Sequence, residues 1–203
     1  MLKFSFLTAG LWLSITTLAY SAESVGFREA KLDQDTARSL HVAIWYPTED
    51  GANAVTIGEN RVFQGTSAVK EALPDAGAHP LVVLSHGYGG SWRNLNWLAP
   101  ELAQQGYIVA APDHPGTTTF NKDADQAAKL WERPHDLSRV IDVLTTDPKL
   151  AGKVDIRRIA AIGHSLGGWT VTALAGALFE TIRFVKGGRT RFVPPDTLRS
   201  NGP

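Results

Sequence analysis

Three runs of uninterrupted apolar residues, each breaking into a glycine- or proline-rich turn, constrain this chain more than any other feature. Leu81-Val82-Val83-Leu84 ends at Ser85-His86-Gly87-Tyr88-Gly89-Gly90, and Tyr107-Ile108-Val109-Ala110-Ala111 ends at Pro112-Asp113-His114-Pro115-Gly116. Ile159-Ala160-Ala161-Ile162 ends at Gly163-His164-Ser165-Leu166-Gly167. A strand with one face in water alternates apolar and polar residues, whereas one that is apolar at every position is covered on both faces. Helical patterns separate and follow the runs. Leu95, Leu98 and Leu102 share one face, with Gly106 placed to stop the helix and Pro100 to kink or split it. Pro134 opens an amphipathic helix whose Leu137, Val140, Ile141 and Leu144 fall at i, i+3, i+4 and i+7. Leu166, Trp169, Ala173, Leu174, Ala177 and Leu178 mark another. The alternation predicts an α/β fold, a mostly parallel sheet with right-handed crossovers and helices on both faces. Functional residues of such sheets gather at the carboxyl ends of the strands.

Ahead of this pattern, residues 25–32 and 40–46 read as a hairpin, with Pro47 closing its second strand. Residues 50–79 read as a long connection holding a short helix around Ser67–Leu73. No internal repeat is present.

Gly163-His164-Ser165-Leu166-Gly167 fits Gly-x-Ser-x-Gly, and its setting between an apolar strand and a helix is what a nucleophile elbow requires. The turn is so sharp that side chains two residues before and two after the serine would collide, hence Gly163 and Gly167. Ser165 is thereby lifted over the amino end of the next helix, where unpaired N–H groups and the helix dipole favour an anion. The Leu166 N–H is then aimed at an oxyanion, with Ser165 as nucleophile. The Ser85–Gly90 turn stands where a second donor is expected, the Tyr88 N–H, with Gly87 freeing the backbone to turn.

Four segments in order, Leu84–Gly90, Ala111–Gly116, Arg133–Leu137 and Gly163–Gly168, resemble those of bacterial dienelactone-hydrolase-like proteins and the related platelet-activating-factor acetylhydrolases, within the α/β-hydrolase superfamily. The resemblance reaches from Pro80 to about Val185. It implies hydrolysis of small carboxylic esters or lactones through an acyl-serine, with no cofactor and no metal. Dienelactone hydrolase proper uses a cysteine, and this chain has none, so the serine-esterase side fits better.

In this fold the acid and histidine of the triad follow the serine. No histidine follows Ser165, and the only later carboxylates are Glu180 and Asp196. The basic, unperiodic tail from Lys186 to Pro203 departs from the family. The expectation is therefore an α/β-hydrolase domain over residues 22–185 whose C-terminal strands are missing, and an irregular, truncated or frame-shifted tail over 186–203. The Ile159–Ile162 strand would then be an open apolar edge, inviting self-association. Of the six histidines, His86 and His114 lie nearest the strand ends as alternative bases, although the resemblance makes them structural; Asp113 reads as a turn-former. The alternative to an esterase is a catalytically inactive binding module, or a non-functional fragment, on the same scaffold.

The first residues stand apart. Met1-Leu2-Lys3 is a positive start, Phe4 to Ala19 is nearly free of charge, and Ala19-Tyr20-Ser21 offers small residues for cleavage after Ser21. A removable export signal over 1–21 is expected, with no stable membrane anchor afterwards and a periplasmic or secreted destination. With 20 basic and 20 acidic residues and no charged run, nothing points to nucleic acid; a small ester or lactone is the expected partner. A nucleotide-binding α/β domain fits poorly, because the turn after Leu84 has no Gly-x-x-x-x-Gly-Lys pattern.

Overall fold

The computed structural model describes residue 22, residues 24–177, and the backbone of residues 183–185 and 188–190. The expected leader and most of the tail lie outside these residues, as do Leu178, Glu180 and Asp196. Two strands, β1 (Ser24–Leu32) and β2 (Leu40–Thr48), form the expected hairpin, Ser24 standing opposite Thr48 and Leu32 opposite Leu40. Next come β3 (Val55–Ile57), β4 (Thr66–Lys70) and β5 (Ala78–Ser85), then a 3₁₀ turn at Trp92–Leu95 and α1 (Ala99–Gln104). Strand β6 (Ile108–Asp113) precedes α2 (Ala124–Ala127) and α3 (Glu132–Thr146). Strand β7 (Lys153–Gly163) leads into α4 (Leu166–Leu174). A separate ribbon pairs β8 (Arg183–Val185) with β9 (Gly188–Thr190), in a stretch whose sequence shows no periodicity.

The main sheet is seven-stranded, in the order β3-β4-β1-β2-β6-β5-β7. Strand β5 lies parallel to β6 and β7, as β1 does to β4, while the hairpin and its pairing to β6 are antiparallel. The sheet is thus mixed, and the three glycine-rich turns all sit at its parallel end.

The uninterrupted apolar runs do what they predict. Leu81 and Val83 of β5 join α3 on one face of the sheet, in a core with Leu40, Ile44, Leu137, Val140 and Leu144. Val82 and Leu84 point the other way, into a core with Trp45, Trp92, Ala99 and Ala103 beneath the 3₁₀ turn and α1. Helices therefore cover both faces. Pro100 does split its helix, taking a place in the first turn of α1, where its missing N–H leaves no acceptor unsatisfied. Gly106 ends that segment at φ 86°.

Two expectations are corrected. Residues 66–70 are a strand rather than part of a helix over 67–73: Ala68 and Val69 are buried by pairing with β3 and β1, and that tertiary pairing overrides the helix preference of Ala, Lys and Glu. Strand β7 is also longer than Ile159–Ile162, its first half carrying Lys153, Asp155, Arg157 and Arg158. Those charges are tolerated because β7 ends the strand order and pairs only with β5 among the described residues. Ile156 is 70% exposed and Ile159 and Ile162 each 38%.

Candidate active site

Ser165 occupies the step from β7 into α4 with φ 55° and ψ −120°, a left-handed φ that a serine adopts only when its surroundings enforce it. The glycines around it do the enforcing. A Cβ on Gly163 would lie 2.0 Å from the Gly167 carbonyl oxygen, so strand end and helix start touch backbone to backbone. A Cβ on Gly167 would lie 1.9 Å from the carbonyl oxygen of Ser85, so this second glycine is required by the neighbouring strand β5 rather than by Gly163. The serine is exposed, and Leu166 sits in the first turn of α4, where an N–H has no partner within the helix.

The turn after β5 comes directly alongside. A Cβ on Gly87 would be 3.2 Å from the Cβ of Ser165, and the His164 N–H donates to the Ser85 carbonyl at 3.2 Å. Within this turn the Gly89 N–H donates to Thr117 O (2.8 Å) and the Gly90 N–H to Gly87 O (3.1 Å). The Tyr88 N–H has no partner among the described residues, and the Tyr88 side chain is exposed. Ser165, Tyr88, Leu166, Gly163 and Gly167 are therefore brought to one place, at the carboxyl ends of β5 and β7.

A buried polar cluster underlies this surface. The His114 Nε2 lies 2.9 Å from Ser85 Oγ and its Nδ1 lies 2.9 Å from Asp136 Oδ2, all three side chains being sealed from solvent. The backbone N–H of His114 donates to His86 Nε2 at 3.1 Å, and His86 Nδ1 lies 2.7 Å from Gly87 O. These partners set both tautomers, since each Nδ1 faces an acceptor and must carry the proton. Burial lowers His86 to about 4 and His114 to about 3, so both rings are neutral. Burial works to raise the Asp136 carboxyl, but hydrogen bonds from His114 and from Arg38 (2.8 and 2.6 Å) outweigh it and hold it below the usual range. Asp113 turns its carboxylate to the Trp92 N–H (2.8 Å) and to His41 Nδ1 (3.2 Å), and that hydrogen bond is the main reason His41 is raised.

This arrangement agrees with the structural role that the resemblance implies for these two histidines, and not with the alternative of a base. Both ring nitrogens of His86 and both of His114 are engaged, so neither offers one to Ser165. His135 and His164 are exposed, and His164 Nδ1 stands toward Gly87 rather than toward a carboxylate. Among the described residues no group of His, Cys, Asp or Glu side chains is arranged to hold a metal ion.

Arg133, Asp136, Ser85, Thr117 and Thr170 are the residues that reading the sequence did not single out. The signal for two of them was present: Arg133 and Asp136 lie on the same face of α3 as Leu137, Val140 and Leu144, a charged pair at core-facing positions.

A strained serine between strand and helix, glycines forced by backbone contact, and a second turn against it define the α/β-hydrolase class of site. Residues 82–201 match the Alpha/beta hydrolase family, and the chain belongs to that family. It is similar to cutinase est2 of Thermobifida alba, 31% identical over 96 residues, which are 46% of this chain and 29% of that protein. It is also similar to a bis(hydroxyethyl) terephthalate hydrolase of Streptomyces coelicolor, 32% identical over 106 residues, 52% of this chain and 31% of that protein. Among solved structures, a ferulic acid esterase from Streptomyces cinnamoneus superposes with a TM-score of 0.63 at 27% identity, covering 79% of this chain and 56% of that one. The matched stretch thus spans about a third of the length of the two curated relatives.

Proposed function

We propose that this chain carries the nucleophile half of an exported serine hydrolase acting on carboxylic esters or lactones. Ser165 Oγ attacks the carbonyl carbon, the Tyr88 and Leu166 N–H groups receive the oxyanion, and the ester C–O bond breaks as the serine proton goes to the leaving alcohol. Water then adds to the acyl carbon, the acyl–Oγ bond breaks, and a water proton returns to Oγ as the acid is released. The observation that carries this reading is the left-handed Ser165 held against Gly87 at the amino end of α4. The names of the similar proteins, a cutinase, a bis(hydroxyethyl) terephthalate hydrolase and a ferulic acid esterase, support the ester side of the resemblance. The narrower likeness to dienelactone-hydrolase-like and platelet-activating-factor acetylhydrolase-like proteins supports small esters or lactones as substrates. No cofactor and no nucleic acid enter the scheme.

The reading leaves the base and the acid of the triad unassigned. No histidine follows Ser165, and the two nearest strand-end histidines are engaged elsewhere. That same observation supports a second reading, an inactive binding module or fragment on the hydrolase scaffold. Residues 1–21 are proposed as a removable export signal, with a periplasmic or secreted product; no helix among the described residues is long and apolar enough to cross a membrane. Residues 22–185 are proposed as the hydrolase portion and 186–203 as a tail apart from it, in which only β9 is regular among the described residues, while the β7 edge is proposed as the route by which copies pair.

Prolonged incubation with a fluorophosphonate, followed by peptide mass spectrometry, tests the assignment. The expected result is one slow adduct on the peptide holding Ser165 and none on the buried Ser85. Adducts spread over several serines, or absent from Ser165, would overturn it.

A further inference from the structure

Two of the four segments behind the family resemblance, Ala111–Gly116 and Arg133–Leu137, supply none of the groups assigned to the acyl-serine chemistry, yet they meet directly beneath it. They meet through His114 Nδ1 and Asp136 Oδ2, and one turn earlier on α3 stands Arg133, whose side chain is buried and forks toward three separate segments. Its Nε donates to Thr170 Oγ1 of α4 at 2.9 Å, and its Nη1 donates to Thr117 Oγ1, in the turn after β6, at 2.6 Å. Its Nη2 donates to Ser85 Oγ at 3.2 Å and to the carbonyl oxygen of His86.

Two of these bonds lead to the paired oxyanion donors. Thr170 Oγ1 accepts from Arg133 and donates its own hydrogen bond to the carbonyl oxygen of Leu166 at 2.9 Å. The His86 carbonyl belongs to the peptide next before the one that carries the Tyr88 N–H. The Thr117 arm reinforces the second link, since the Thr117 carbonyl holds the Gly89 N–H. We propose that Arg133 is a positioning residue, setting the gap between the Tyr88 and Leu166 N–H groups by tying the turn after β5 and the first turn of α4 to one guanidinium.

The chemistry of the side chain suits the role. A guanidinium presents its donors in a rigid planar fork, while a lysine ammonium is a point charge on a flexible stem and cannot span three segments at fixed angles. All four of these acceptors are neutral oxygens, and the neighbouring carboxylate, Asp136, is already held by Arg38 and His114. Burial lowers Arg133 only to about 10, so it remains a cation at neutral pH behind the donors that would face an oxyanion. The neutral His86 and His114 rings complete the packing without adding charge.

This inference rests on the acyl-serine reading for its purpose but not for its test. In the 203-residue chain labelled with nitrogen-15, amide resonances of Tyr88 and Leu166 are recorded for Arg133→Lys, Thr170→Val and the control Leu144→Ala, alongside urea midpoints. Leu144 lies on the same helix, in the core rather than beneath the site. Arg133→Lys is expected to move both amide resonances, and Thr170→Val, which cuts only the α4 arm, to move Leu166 more than Tyr88. Leu144→Ala is expected to lower the urea midpoint while leaving both resonances in place. Arg133→Lys shifts no larger than those of the control would overturn the proposal. If Arg133→Lys does not fold, an unmoved Leu166 resonance in Thr170→Val overturns it instead. A failure of the hydrolase reading shows separately, as absent labelling of Ser165, and does not alter what the amides report.

Discussion

The two flanks of Ser165 are built differently. Toward β5 and β6 the serine is backed by a sealed polar cluster in which Ser85, His86, His114, Arg133, Asp136, Thr117 and Thr170 are all buried and hydrogen-bonded. Toward the outer side of β7 it has an edge that no other strand pairs with among the described residues, with three exposed isoleucines. On the proposed reading the buried flank supports the N–H groups that would receive negative charge, and the outer flank is where a base is absent among the described residues. Oxyanion geometry and nucleophile activation are thus separable parts of such a site. In this chain the residues behind the proposed oxyanion donors contact each other through α3.

Substitutions can break that contrast. The largest expected effect comes from removing the anion of the buried cluster. Asp136→Ala strands Arg38 and His114 beside a cavity and should cost about 3–5 kcal/mol, read from urea unfolding; a loss below about 1 kcal/mol would mean the cluster is not the anchor of its flank. Acid comes next. His86 and His114 have folded-state values depressed to about 4 and about 3, against 6.5 for an unperturbed histidine. The unfolded chain therefore takes up protons first: stability is full above about pH 6.5 and falls as pH drops toward 4, by about 1.4 kcal/mol per pH unit for each histidine. Asp136, lowered by its partners, adds to the loss further down, while His41, raised by Asp113, acts oppositely and loses its contribution as pH rises through its folded value. A stability profile flat from pH 7 to pH 4 would contradict neutral, sealed imidazoles.

Smaller effects sharpen the comparison at the serine and on the open flank. Ser165→Gly should stabilise the fold by about 1 kcal/mol while abolishing the nucleophile, because glycine adopts the left-handed φ without strain. No gain in the unfolding midpoint would show that the turn stores nothing at this residue. Ile156→Ala, on the exposed edge, should change stability by less than about 0.5 kcal/mol. It should also weaken any concentration-dependent association seen by sedimentation, and a larger loss of stability would show that the edge is covered in solution.

The sheet was legible where burial writes a continuous pattern. The runs at Leu81–Leu84 and Ile108–Ala111 have both faces under helices, and Leu137, Val140 and Leu144 keep the period of α3. Strand β4 was not legible, because only the adjacent pair Ala68 and Val69 is buried and its partners are set by tertiary pairing. The charged first half of β7 was hidden for the opposite reason, since an edge strand need not be apolar. The elbow was legible from one short motif because its glycines answer backbone contacts that any such turn must make. The bonds of the network behind it were not: Ser85, His114 and Arg133 lie far apart in the chain, and although the family resemblance marked their segments, only the charged pair on the core-facing side of α3 signalled a buried polar contact.

The most direct test is hydrolysis of a short p-nitrophenyl ester by residues 22–203 beside Ser165→Ala. The expected result is turnover that is slow, well below the roughly 1–1,000 per second of ordinary enzymes, and lost on removing the Ser165 hydroxyl. Ser165-dependent turnover within that ordinary range would contradict a site without a base, and a rate unchanged by Ser165→Ala would contradict the assignment of Ser165 as the nucleophile.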